Sequence, residues 1–367
     1  MVSRVTSSSV NIDLAAQINN RYADFAKLTE QLTTGKRVNS ITDDPIESVN
    51  IVNSNRRLNR IGILTANVSS IKNEIKESSE TIDLAIEKAQ RAKDIATTAA
   101  NGTSTKSTLE ANLTELDKVI ETMVDLANTN YNGNYIFGGT NTKTTPYTIE
   151  YGINADGTSN NEIIGIKYNG TALDGDWERK LEITEGVFQT MNVTGAELFG
   201  DYDKEPVYEA DGVTPVLDAE GNPTYTVNSS GGIMGDLIEL RNSIKETIEK
   251  IDEQQALPAD ATQAEKDAAG AAVKDCYDKI NGLLDGFSTS MEKMTYINSS
   301  FGTVTNKLDM TNDSLVESEN NLTEYISGIR DIDITKAVSD WYSSQYAYQA
   351  SMQASTSIMS MNLLSYL

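Results

Sequence analysis

The side chains whose type and spacing best suit them to chemistry are carboxylates two residues apart, Asp174 with Asp176 and Asp201 with Asp203. Two carboxylates flanking a scissile bond can divide acid and base work between them when one is held protonated and the other ionised. Nothing near either pair suggests a pocket, so a solvated acidic surface is the expected role. Residues 154–162, NADGTSNNE, are spaced loosely like a calcium loop. The Gly falls at the fourth position, however, and the twelfth residue is Gly165 and not Glu, so the stretch is read as a turn. The chain has no histidine and one cysteine, Cys276. Those two facts exclude a Ser-His-Asp triad, a His-paired thiol, a His general base and a His- or Cys-rich zinc site. No Gly-rich phosphate or dinucleotide loop occurs between a strand and a helix. No catalytic residue, metal or cofactor is therefore assigned, and the chain is not expected to be an enzyme. Asn-x-Ser/Thr matches such as Asn101 and Asn192 follow from the abundance of those residue types.

With chemistry set aside, the surfaces carry the information. The chain's 367 residues have a net charge of -24, which disfavours nucleic acid and anionic membranes as partners. Residues 1–56 hold six cations and six anions, and residues 333–367 one Lys and two Asp, whereas residues 134–232 hold five cations against sixteen anions. Nearly neutral ends suit packing against other chains, and an acidic middle suits water. The uncharged run at residues 341–367 is long enough to cross a bilayer, but it interleaves Ser, Gln and Asn with apolar residues, so no membrane span is expected. The opening residues lack the apolar core of a secretory signal. Cys276 is read as a buried small hydrophobe.

Four stretches carry apolar residues at the alternating three and four spacing of a helix seam. The second runs Ile61, Leu64, Val68, Ile71, Ile75, Ser78, Ile82, Ala85, Ala89, Ala92, Ala96 without a slip, and its alanine tail admits a close neighbour. The third is Leu109 to Ala127. The fourth runs from Val273 to Ile332, about sixty residues or roughly 90 Å of helix. A shorter helix around residues 237–251 precedes it, and a helical hairpin links the two. Between residues 134 and 232 the helical period gives way to short strand signals, NYIFGG, PYTIEY, EIIGIKYNG, RKLEIT and PTYTV, parted by Gly-containing turns. The expected fold is mainly α with a β-rich insert. A long antiparallel helical-bundle stem is built from both chain halves and carries terminal coiled-coil segments. The boundaries are 1–56 for an N-terminal assembly segment, 57–133 and 233–332 for the stem halves, 134–232 for the insert and 333–367 for a C-terminal assembly segment.

The two ends hold the candidate site. Leu14, Ile18, Tyr22, Phe25, Leu28 and Leu32 form one seam, and Ile334, Val338, Trp341, Gln345, Tyr348, Met352, Ser355 and Met359 another. Isolated helices of this length are marginal in water, so both seams need cover, either from other chains or from the stem. Between the first helix and the stem lies a joint. Gly35 can take the left-handed conformation that ends a helix, Asp44 is an N-cap, Pro45 fits the first helical position, and Glu47 can bond back to the cap. Such a joint would let the N-terminal helix be positioned independently of the stem.

The stretches LTTGKRVNSITDDPIES, NYNGNYIFGGT and AYQASMQASTSIMSMNLLSYL, in that order and around a helical stem, resemble the flagellin-like hook-associated proteins of the bacterial flagellum. The likeness covers both ends and both stem halves; the insert matches only in position. Flagellin itself, the filament subunit, is the alternative. It is disfavoured because Asp44 is followed by Pro45-Ile46-Glu47, because the chain ends Leu-Ser-Tyr-Leu, and because it carries Tyr135-Ile136-Phe137-Gly138-Gly139. A secreted coiled-coil adhesin is a more distant alternative. The resemblance implies a structural adaptor between hook and filament, exported through the flagellum's own channel. The partners it implies are copies of itself in a ring-like homo-oligomer, a neighbouring hook-associated protein, flagellin and an export chaperone.

Overall fold

The computed structural model describes residues 7–102, 104–154, 158–171, 176–208, 215–218, 223–258 and 261–364, with side chains described between residues 12 and 358. Asp174 and the centre of the turn at residues 155–157 lie outside the described residues. The chain divides into two compact units, one of Met1–Leu64 with Asp313–Leu367 and one of Thr65–Asn312.

The larger unit is a helical bundle with a β-rich insert. Its helices are the greater part of α2 (Pro45–Ala99), α3 (Lys106–Ala127), α5 (Gly232–Gln255) and much of α6 (Gln263–Arg330). All eleven residues of the α2 seam from Ile61 to Ala96 are buried, the nine from Val68 onward in this unit, and Leu109, Leu116, Ile120, Met123 and Ala127 of α3 are buried as well. Neighbouring helices are cross-linked by charge: Arg91 to Glu115 at 2.6 Å, Lys106 to Asp252 at 2.6 Å, and Lys279 to Glu246 at 2.9 Å. The expected hairpin between α5 and α6 is present, and α6 opens with a capping box. Thr262 Oγ1 accepts from Glu265 N while Glu265 Oε2 accepts from Thr262 N.

The insert contains β1 (Asn130–Tyr131), β2 (Asn134–Tyr135), β3 (Tyr147–Ile153), β4 (Ser159–Tyr168), β5 (Lys180–Thr184), β6 (Val187–Thr190), a short α4 (Gly195–Leu198), β7 (Asp201–Pro206) and β8 (Tyr225–Gly231). An antiparallel sheet has the order β3-β4-β7-β8, with Tyr147 opposite Tyr168, and β5 pairs with β6 as a separate hairpin. Gly165 and Ile166 are adjacent in the regular part of β4 and face opposite sides of the sheet, yet both are buried, so this strand is covered on both faces. The NYIFGG stretch is a strand only as far as Tyr135. A Cβ at Gly138 would meet Asn141 O at 2.4 Å, and Gly139 has φ +68°, so the chain turns and drives Phe137 inward. There Phe137 meets Phe199 edge-on at 5.2 Å, and the Tyr147 hydroxyl donates to Gly200 O at 2.8 Å.

The smaller unit contains α1 (Ser7–Thr34), the first part of α2, the last part of α6, and α7 (Ile334–Leu364). Its apolar core is thin among the described residues: Val38, Ile61, Leu64, Leu315, Ile326 and Ala337 are buried. No helix among the described residues is long and apolar enough to cross a membrane.

Candidate assembly interface

The joint is built largely as its sequence suggests. Gly35 ends α1 with φ +69°, and Asp44 Oδ1 accepts from Glu47 N at 3.1 Å to cap α2, which starts at Pro45. Glu47 does not return to the cap; its carboxylate accepts from Asn50 Nδ2 at 3.3 Å. Asp43 closes the turn by accepting from the backbone of Asn39 and Ser40 and pairing with Lys27 at 3.1 Å.

The joint is not free to position α1 alone, because it is tied to the end of α6. Arg37 N donates to Arg330 O at 2.6 Å, Ile332 N to Gly35 O at 3.1 Å, and Arg37 Nη2 to Ile329 O at 2.7 Å. Lys36 and Asp331 form an antiparallel bridge, and Asp331 is held by Arg330 and Ser327. The two crossings between terminal helix and stem therefore lie side by side as one short ladder. Hydrogen bonds hold three carboxylates here below the ordinary Asp value. The donors are the Ser40 backbone and Lys27 for Asp43, the Glu47 backbone and Arg37 for Asp44, and Arg330 and Ser327 for Asp331.

Beyond the joint, α1 and α7 pair through aromatic rings. Phe25 stacks on Tyr348 at 6.3 Å with planes 6° apart and lies 5.5 Å from Trp341, and Tyr22 lies 5.7 Å from Tyr348. The Trp341 indole donates to Thr29 Oγ1 at 2.9 Å. Leu14, Ile18, Phe25, Leu28, Leu32, Trp341, Gln345, Tyr348 and Ser355 are half-buried, while Tyr22, Ile334, Val338 and Met352 are exposed. The side chain of Met359 is outside the described residues. The α7 face turned inward runs Ala337, Trp341, Ser344, Tyr348, Ser351, Ser355, Ile358, again with alternating steps of four and three. Small residues alternate with the two large rings, which gives Phe25 room to stack. Apolarity alone points to Val338 and Met352, and these remain outside together with Tyr342 and Tyr346.

The carboxylates first considered for chemistry are otherwise engaged. Asp201 Oδ1 accepts from Ser230 N at 2.8 Å, and Asp203 pairs with Lys167 at 3.2 Å. Asp176 is used through its backbone carbonyl, which accepts from Thr140. Glu150, Asp203 and Glu205 bring oxygens within 4.8 Å of one another, with Lys167 also bonded to Glu205. Burial and the nearby Asp203 raise the pKa of Glu150. Asn192 is buried, donating to Trp177 O and accepting from Arg179 N, and Cys276 is buried with its thiol pushed up by desolvation.

Comparison with known proteins agrees with this geometry. The model of the bacterial flagellin N-terminal helical region matches residues 5–142, and that of the C-terminal helical region matches residues 284–367. Flagellar hook-associated protein 3 of Escherichia coli strain K12 is 24% identical over 349 residues, covering 94% of each chain. Its namesake from Salmonella typhimurium is 25% identical over 351 residues at the same coverage. The fold is similar to that of hook-associated protein 3 from Legionella pneumophila, with TM-score 0.50 and 14% identity over 76% of this chain and 98% of that one. It is equally similar to FlgL from Xanthomonas campestris, with TM-score 0.50 and 16% identity over 75% of this chain and all of the other.

Proposed function

The chain belongs to the bacterial flagellin family, both of whose helical regions it carries, and from that premise we infer that it is a structural protein of the flagellum, exported to the junction of hook and filament. It works there by joining other flagellar components through its terminal helices. The observation that carries this reading is the incomplete burial of the two ends. Helices from opposite ends of the sequence meet through Phe25, Trp341 and Tyr348, yet Ile12, Ile334, Val338, Tyr342, Tyr346 and Met352 stay exposed on the same pair. A helix pair that is apolar inside and outside gains most of its stability from a second layer of protein.

The partners follow from that need. Copies of the same chain in a ring, a neighbouring hook-associated protein and the first flagellin subunits would cover the outer faces in the assembled structure. An export chaperone would cover the C-terminal seam before assembly. The residues that carry assembly are those of the two seams, and Gly35, Asp44, Pro45 and Glu47 set the geometry between terminal and stem helices. Replacing Trp341, Tyr348 and Met352 together by Asp is expected to abolish swimming while leaving the circular dichroism of the larger unit's helices in place. Normal swimming by that variant would overturn the reading.

A further inference from the structure

Within the larger unit, a side chain stitches the insert's sheet together across one of its middle strands. β3 pairs with β4, and β7 with β8, along most of their length, whereas β4 and β7 share one paired position, Ile166 with Tyr202. The halves β3–β4 and β7–β8 therefore depend on other bonds. Glu150 of β3 lies opposite Gly165 of β4, and its carboxyl reaches past that glycine to accept from Lys204 N of β7 at 2.7 Å. A Cβ at position 165 would meet Glu150 Oε2 at 2.8 Å and Lys204 Cβ at 3.2 Å, so glycine keeps this path open. The crossing brings Glu150 beside Asp203, with one oxygen of each and one of Glu205 within 4.8 Å of one another.

The charges in this group do not balance. Lys167 of β4 pairs with Asp203 Oδ2 and with Glu205, while the Lys204 ammonium is turned over the Tyr225 ring, 4.9 Å from its centroid. Opposite Glu205, Lys204 and Asp203, β8 places Thr226, Val227 and Asn228, none of them charged. Asp203 Oδ1 is buried and has no donor among the described residues. A buried acceptor is costly to leave unpaired, and two carboxylates this close resist ionising together. A proton on Glu150 relieves both, because it turns one carboxylate into a donor and removes a like charge. Desolvation contributes most to raising the Glu150 pKa and the charge of Asp203 adds to it, against the opposing pull of the Lys204 N–H and of Lys167.

We propose that Glu150 and Asp203 share one proton, the Glu150 O–H donating to Asp203 Oδ1, and that this pair is a pH-sensitive clamp joining β3–β4 to β7–β8 across Gly165. A carboxyl whose folded value lies above its unfolded value of about 4.3 stabilises fully below that value, and the contribution is lost as pH rises through the folded one. The clamp is thus tightest in acid, opposite in sign to the carboxylates Asp43, Asp44 and Asp331 of the joint. The chain has no histidine, so no imidazole titration overlies the change.

The test is amide exchange of the full-length chain, read by mass spectrometry on peptides covering Asp201–Pro206 and Tyr225–Gly231 and corrected for intrinsic rate. Protection of both is expected to fall severalfold between about pH 5 and pH 8 in the wild-type chain. Glu150→Gln keeps an acceptor for Lys204 N and carries a permanent donor for Asp203, so its protection should match the wild type in acid and exceed it at the alkaline end. Asp203→Asn removes the anion that retains the proton and should flatten the profile as well. A flat wild-type profile overturns the proposal by itself, as does a Glu150→Gln profile that runs parallel to the wild type's. Should Glu150→Gln fail to fold, an Asp203→Asn profile with the wild-type slope overturns it in the same way.

Discussion

At the scale of single residues, the joint shows how far local chemistry can be read in advance. Gly35, Asp44 and Pro45 are legible because each acts on backbone within four residues of itself. The ladder to residues 330–332 is not legible, since the backbone N–H and Nη2 of Arg37 find their acceptors almost 300 positions away and no local rule names them. Glu47 also departs from expectation, its carboxylate accepting from the Asn50 side chain one turn on and not from the cap. The depressed pKa values of Asp43, Asp44 and Asp331 make the joint sensitive to acid. A carboxyl group whose folded value lies below its unfolded value adds stability that is complete above the unfolded value, near 4, and is lost as pH falls through the folded one. Amide exchange at Arg37, Val38 and Ile332, corrected for intrinsic rate, should therefore show protection at pH 6 that fades below about pH 4. Asp43→Asn with Asp331→Asn should remove most of that pH dependence. A flat profile in the wild-type chain would mean that these carboxylates do not hold the ladder.

At the scale of elements, legibility follows the length and regularity of the pattern. The unbroken seam from Ile61 to Ala96 is buried at every position because eleven residues in register leave one rotation of the helix open. The α7 seam is shifted towards Ala337, Ser344 and Ser351, since fitting a ring between helices demands small neighbours, a constraint of shape that hydrophobicity does not encode. The capping box at Thr262 and Glu265 was available in the sequence as T-x-x-E and marks the start of α6. The alanines of α2 support a prediction. Ala85, Ala89, Ala92 and Ala96 have no exposed surface, so Ala89→Leu inserts atoms where there is no space. Overpacking of this kind costs about 1–3 kcal/mol and should lower the melting temperature by several degrees in calorimetry. An unchanged melting temperature would show that the helices can part there without cost. Arg241 offers a contrasting case. It is buried on α5, with Asp117 at 2.7 Å and Glu162 at 3.2 Å. Both carboxylates keep some contact with water, so Arg241→Met should cost no more than about 3 kcal/mol in denaturant unfolding, and a larger loss would mean they cannot rehydrate.

At the scale of the whole molecule, the distribution of burial separates two kinds of stability. The larger unit has a continuous core drawn from four helices and an insert, while the smaller holds few fully buried apolar side chains among its described residues. Limited proteolysis of the free chain should trim both ends early and leave a resistant fragment that contains Thr65–Asn312. Full-length protein that resists digestion as long as that fragment would contradict a role in which the ends become stable only on incorporation. The concentration of anions in residues 134–232 fits a region left facing solvent, and it was visible from charge counting alone. The order of the insert's strands was not, because pairing β4 with β7 across the β5–β6 hairpin depends on contacts that no single stretch displays.

The indole of Trp341, bonded to Thr29 and set against Phe25, is also a built-in optical gauge. The chain has one other tryptophan, Trp177 in the insert, so exchanging that residue for Phe leaves a single emitter at the meeting point of the two termini. Its colour and lifetime would then report, in real time and without an added dye, the moment at which beginning and end of the polypeptide close on each other.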